Sequence, residues 1–240
     1  MNVSFRVSKG SFIQLIICVV ALYGLYCSWQ QLTVGNSYYR VKNNLDIWQQ
    51  SPSLANEPSV KSMLEEIDSA IERIPDNALY YQLRAQTIEW LVYVKTTERE
   101  RVKVTLLNAA YKDYKKSLEL RPTWAGSWVG MATIKWKLDE LDESFYSYLQ
   151  QAEKFGPQDS LTHIFYSEFG LNMFSIRSIH FVKVKSQLKK HIHLGLLNPL
   201  SRNAVLKSIS QHNAKQVVCV WLKTYPNSSS RRTLGCDDIV

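Results

Sequence analysis

The residue types that most often carry catalysis are present in this chain but are poorly spaced for it. His191 and His193 are separated by one residue, which on a helix sets their side chains roughly 200° apart and denies them a shared metal ion. His163, His180 and His212 stand alone in the sequence and read as surface or partly packed side chains. The densest carboxylate cluster is Asp139, Glu140, Asp142 and Glu143. It falls in a turn and at the start of a helix, where acidic groups complement the positive end of the helix dipole. No glycine-rich phosphate loop, Gly-x-Ser-x-Gly elbow or paired metal-ligand motif occurs. These spacings predict a non-enzymatic protein with no catalytic residues, no cofactor site and no metal site.

Binding chemistry is better represented. The net charge is +8, and it is distributed unevenly. Between Phe169 and Cys236 there is no Asp or Glu, whereas Arg177, Lys183, Lys185, Lys189, Lys190, Arg202, Lys207, Lys215, Lys223, Arg231 and Arg232 all fall there. Such a stretch attracts anions at range, whether phospholipid headgroups, acidic glycans or lipid phosphates. Nucleic acid is the least natural of these for a domain tethered to a membrane, and none is expected as a partner. Lys185, Lys189 and His193 recur at intervals of four beside an apolar stripe of Phe181, Val184, Leu188 and Ile192. A basic amphipathic helix of this kind can lie on an anionic membrane; the same pattern also describes the solvated back of a helix that caps a stack. Lys185, Lys189 and Lys190 are therefore candidate anion contacts. Trp124, at the entry to a helix, is the candidate exposed aromatic for a sugar ring, whereas Trp128 reads as core.

The elements that would position these residues begin with a membrane anchor. Residues 10–39 carry no charge, and residues 12–26 are almost continuously apolar; a spanning helix needs about 20 such residues. Arg6 and Lys9 precede the run, and Tyr23, Tyr26 and Trp29 gather at its far end, where amphipathic rings favour the headgroup level. A cleaved signal would want small residues before the cut, and Leu25-Tyr26-Cys27-Ser28 offers bulky ones. The expected order is a short segment over 1–10, a transmembrane helix over 11–31 and a juxtamembrane stalk or linker over 32–58. A helical domain over 59–225 and a flexible tail over 226–240 complete it. Cys18 and Cys27 lie in the span; Cys219 and Cys236 could pair in an oxidising compartment or remain thiols.

Over the domain, apolar residues recur at helical spacing. Val60, Met63, Leu64, Ile67, Ala70, Ile71 and Ile74 make one amphipathic stripe, stopped by Pro75. Asp76 and Asn77 then offer N-caps for a helix from Ala78 to about Lys95. The unit returns as helices over 106–120, 125–137 and 142–155, with Pro122 and Pro157 closing successive hairpins 35 residues apart. A period of about 34 residues in helical pairs is the signature of tetratricopeptide arrays. Ala110, Tyr114, Ser117 and Pro122, then Trp128, Met131 and Ala132, fill the motif's positions, and Ser144, Tyr148 and Ala152 repeat part of it. One hairpin cannot hide its own apolar face, so neighbours must stack. Helices are further expected over 161–174, 176–194 and 203–222. The predicted fold is all-α: a transmembrane helix followed by tetratricopeptide-like hairpins in a right-handed superhelix.

The run Leu118-Glu119-Leu120-Arg121-Pro122-Thr123-Trp124, then Trp128, Lys135, Asp142-Glu143-Ser144-Phe145, Ala152, Gly156-Pro157 and Phe169-Gly170-Leu171, resembles the VpsP-type family of bacterial polysaccharide biosynthesis proteins. The motif residues lie mainly in 106–171. The resemblance implies a bacterial inner-membrane protein; Arg6 and Lys9 before the span place its N-terminus in the cytoplasm, which leaves the helical domain periplasmic. It further implies a scaffold that assists synthesis or export of an extracellular polysaccharide through protein partners in an assembly complex, with no catalytic residues to carry over.

Overall fold

In the computed structural model the described residues are 9–95, 100–225 and 229–236, with the side chains of 9–12, 30, 31 and 33 also outside the description. Arg6, residues 96–99 and Asp237 and Asp238 therefore lie outside it. Among the described residues every regular element is helical. The order is α1 (Lys9–Gln50), a 3-10 turn (Pro52–Leu54), α2 (Glu57–Arg73), α3 (Ala78–Val94), α4 (Glu100–Leu120), α5 (Ala125–Lys137) and α6 (Glu143–Phe155). It continues with α7 (Ser160–Ser175), α8 (His180–Leu197), α9 (Arg202–Gln211), α10 (Lys215–Leu222) and α11 (Ser229–Leu234).

Helix starts follow local side-chain chemistry. Asn56 and Ser59 form a reciprocal capping box at α2, the Ser59 amide donating to Asn56 Oδ1 at 3.0 Å and the Asn56 amide to Ser59 Oγ at 3.3 Å. Asn77, Asp142 and Asp159 accept an amide hydrogen at the starts of α3, α6 and α7, each satisfying an otherwise orphaned donor. The acidic cluster in the α5–α6 turn is accordingly structural. The Lys135 ammonium donates to Glu140 and Asp142 at 3.0 and 2.8 Å, and holds the Asp142 carboxyl well below the usual carboxylate range.

Each helix packs on the next along most of the chain, and α1, α3, α5, α7 and α9 also touch one another in series. The buried side chains fall into four clusters: the first within α1–α3, the second across α3–α5, the third across α5–α8 and the last across α7–α11. Leu64 and Leu106 bridge the first to the second, Trp128 and Tyr148 the second to the third, and Phe181 the third to the last. Glycines let the backbones approach. A Cβ on Gly130 of α5 would stand 2.2 Å from the ring of buried Tyr114 on α4, and one on Gly126 would meet Gln82 of α3 at 2.6 Å and Leu161 of α7 at 3.2 Å.

Three expectations are corrected. Residues 34–50 of the expected stalk are helical but belong to the domain's core rather than to a juxtamembrane linker. They continue α1 without a break, and Val34, Val41, Leu45 and Trp48 are buried against α2 and α3, because the stripe they form is the missing apolar partner of the α2–α3 hairpin. The helix expected over 203–222 is two, α9 and α10, divided at Asn213, whose φ of 49° lies in the left-handed region that Asn tolerates best among non-glycine residues. The tail expected over 226–240 carries α11, with Leu234 and Cys236 in the last core cluster and Cys236 bonded to Cys219. Residues 226–228 and 237–240 lie outside the description.

One helix among the described residues is long and apolar enough to cross a membrane. Its candidate segment is Ile13–Gln50, and the most apolar window is unburied within the structure. Large apolar side chains from Ile13 to Leu32 are exposed there.

Candidate functional site

The last cluster places the candidate lysines on α8 in three different situations. Lys185 is exposed with its ammonium 5.9 Å from the centre of the Phe181 ring, and Lys189 is half-buried with its ammonium 5.8 Å from the Trp221 ring. Both distances are within cation–π reach, which limits the excursion of each side chain. Phe174, Phe181 and Trp221 pack on one another beneath them, at centroid separations of 5.2, 5.4 and 6.1 Å. Lys190 points the other way and forms an ion pair with Glu153 of α6. His193 does not extend the solvated row. It stacks on Tyr225 at 4.2 Å and bonds Ser230 of α11 at 2.9 Å.

Behind Lys190 runs a buried polar chain that the sequence does not disclose. His191 Nε2 donates to Glu153 Oε2, so in the neutral ring Nδ1 of His191 must accept. The bond of 2.8 Å between His191 Nδ1 and His163 Nδ1 therefore has His163 as donor, leaving His163 Nε2 a bare acceptor. That atom and the hydroxyl of Ser167, one turn along α7, are buried with no hydrogen-bond partner. Tyr166 stacks on His191 at 4.4 Å, nearly parallel. Burial holds His163 neutral down to about 4, with the neighbouring His191 adding to the effect. His191 is also lowered, burial outweighing the pull of Glu153. Burial pushes the Glu153 carboxyl up, but Lys190 and His191 outweigh it and hold the group below its ordinary value. His163 is thus neither isolated nor partly packed: it is fully enclosed.

Trp124 is not an open platform for a sugar. It is half-buried, its indole N–H donates to Gln82 of α3, and the Arg121 guanidinium covers its ring at 4.0 Å. Trp128 donates to the carbonyl of Pro122 at 2.8 Å and packs on Tyr148, tying the proline turn to the hairpin it opens. Trp124 packs against the second cluster, whereas Lys185 and Lys189 lie over Phe181 and Trp221, which pack in the last.

Among the described residues no group of three or more His, Cys, Asp or Glu side chains is arranged to hold a metal ion. Open depressions occur beside Asp76 and Arg121 and beside Glu143, Tyr146 and Lys183. What the surface offers is the α8 face itself. No family model matches the chain, and no curated protein matches it.

Proposed function

We propose that this protein is a membrane-anchored, non-enzymatic helical-repeat scaffold that holds partner proteins of a bacterial extracellular polysaccharide assembly complex. One observation carries the reading. A single unbroken helix, α1, has an exposed apolar first half and a second half whose Val34, Val41, Leu45 and Trp48 are buried in the first core cluster. An anchor fused in this way presents the body at a fixed attitude to the bilayer, which suits a scaffold.

The serial contacts among α1, α3, α5, α7 and α9, together with the motif residues around Pro122 and Pro157, support a tetratricopeptide-like stack. The polysaccharide setting rests on the likeness of residues 106–171 to the VpsP-type family. The Cys219–Cys236 disulfide suits an oxidising compartment, and Lys9 before the span favours a cytoplasmic N-terminus. Both support an inner-membrane protein with its helical domain in the periplasm. Cross-linking in cells, with the full chain at native level, tests the reading: recovery of envelope proteins of polysaccharide assembly supports it, and recovery of lipid alone refutes it.

A second reading draws on exposed Lys185 and half-buried Lys189: an anionic glycan or lipid-linked precursor bound by the basic last third. It requires binding that weakens steeply with salt. Salt-independent binding contradicts it.

A further inference from the structure

We infer that the α7–α8 turn and the first turns of α8 form a docking surface for an acidic, amphipathic segment of another protein. The inference rests on the scaffold reading and names the chemistry of its partner. Ile176, Ile179 and Val182 are 61, 75 and 73% exposed, unusual for three branched apolar side chains within seven residues. Ile179 and Val182 are three apart, so they share a face. That face is edged on one side by Lys185 and Lys189, steadied over Phe181 and Trp221, and on the other by Lys183, whose ammonium is 4.5 Å from the Tyr146 ring. Arg177 is exposed in the turn itself. Beyond Lys183, Glu143 of α6 lines the adjoining depression, and Glu153 is taken up by Lys190 and His191.

An apolar strip between two basic edges is complementary to an apolar strip between two acidic ones. A polyanionic glycan would engage the lysines and leave the three apolar residues in water, whereas an apolar strip on a partner would cover them, which favours the complex. The bilayer that holds α1 is at the wrong end. Trp48 packs on Trp90, Glu89 pairs with Lys137, and Trp136 packs on Phe169, so the C-terminal ends of α1, α3, α5 and α7 lie at one end of the stack. The α8 start follows directly from the last of these. The apolar half of α1 leaves from the opposite end, and the packed stretch 34–50 separates the two by roughly 25 Å at 1.5 Å per residue.

The full chain in neutral detergent micelles would be titrated with a labelled peptide of about 18 residues carrying Leu along one helical face and Glu elsewhere. A peptide of the same composition with its Leu residues dispersed is the control. Alginate, and vesicles of phosphatidylethanolamine and phosphatidylglycerol at about three to one, serve as competing probes. The amphipathic peptide is expected to bind about tenfold more tightly than the dispersed one, a difference of about 1.4 kcal/mol. Ile179→Asp and Val182→Asp, both at exposed positions that leave the core intact, are each expected to abolish that preference, and Lys185→Glu with Lys189→Glu to weaken binding by at least as much. Equal binding of the two peptides, insensitivity to Val182→Asp, or preference for alginate or vesicles would overturn the inference. Protein cross-links in cells that survive Val182→Asp would overturn it while leaving the scaffold reading in place.

Discussion

Gly130 lies where the Tyr114 ring crosses between α4 and α5, and that ring is held from its far end by a 2.6 Å bond from its hydroxyl to Glu89, itself paired with Lys137. The ring therefore has little room to yield. Gly130→Ala would gain up to about 1 kcal/mol of helix propensity but overpack a closed contact, which costs typically about 1–3 kcal/mol. A net fall in the thermal midpoint by circular dichroism is expected, and an unchanged or raised midpoint would show that the helices are not that close. His163 gives a pH signature. Its folded value is depressed to about 4, while the unfolded imidazole titrates near 6.5. Between those values the unfolded chain binds the extra proton, so stability should fall as the pH drops from 6.5 towards 4 and be flat in this term above 6.5. Glu153 and His191, both lowered, act in the same sense. Denaturant midpoints measured over that range, with His163→Gln flattening the slope, would check it; equal slopes in the two proteins would contradict it. None of this pairing was legible in the sequence, because His163 and His191 are 28 residues apart and Glu153 a further ten before His163. What brings them together is helix packing, not spacing. The Asp142 cap, by contrast, was visible as an acidic residue at a helix start.

At the scale of the element, hairpins α2 to α6 were legible because proline, capping residues and a 3.6-residue period agree with one another there. The lower half of α1 was harder. Val34, Val41, Leu45 and Trp48 form an apolar stripe, but it follows closely on a continuously apolar run, and Gly35 and Asn36, where a break could be read, are helical within α1. Two truncations separate a stalk from a packed helix. A chain beginning just before Val34 should stay monomeric and cooperatively folded. One beginning at Ser51 should expose the Val60, Ile67 and Tyr80 side of the first cluster and aggregate in size-exclusion chromatography. Equal behaviour of the two would mean that α1 contributes nothing to the core. The C-terminal segment was misread because Pro226 and the three serines after Asn227 signal disorder, whereas a covalent bond across 17 residues fixes it. Closing a loop of that size stabilises a fold by about 3 kcal/mol, and Arg231 adds a bond to the carbonyl of Cys219 at 3.0 Å. Reduction should lower the thermal midpoint and speed tryptic cleavage at Arg231 and Arg232; the Cys219→Ser, Cys236→Ser double variant should reproduce both effects and be insensitive to reductant.

For the whole molecule, the four core clusters are joined through shared side chains rather than separated by linkers, so a force or orientation imposed at α1 is carried to α8. The basic, apolar face of α8 and the apolar half of α1 would then be held at a constant separation, which is what a tethered scaffold needs and what a flexible stalk would not provide. The direct test is a spin-label accessibility scan along α1, residues 13 to 50, in the full chain reconstituted into liposomes. Labels up to about residue 32 should be reached by oxygen and shielded from water-soluble relaxants. From there a helical rhythm should set in with protected minima at positions 34, 41, 45 and 48 and no interruption of phase. Water access throughout the first half, or a loss of the helical phase between Gly35 and Tyr39, would contradict the proposed membrane-fused scaffold.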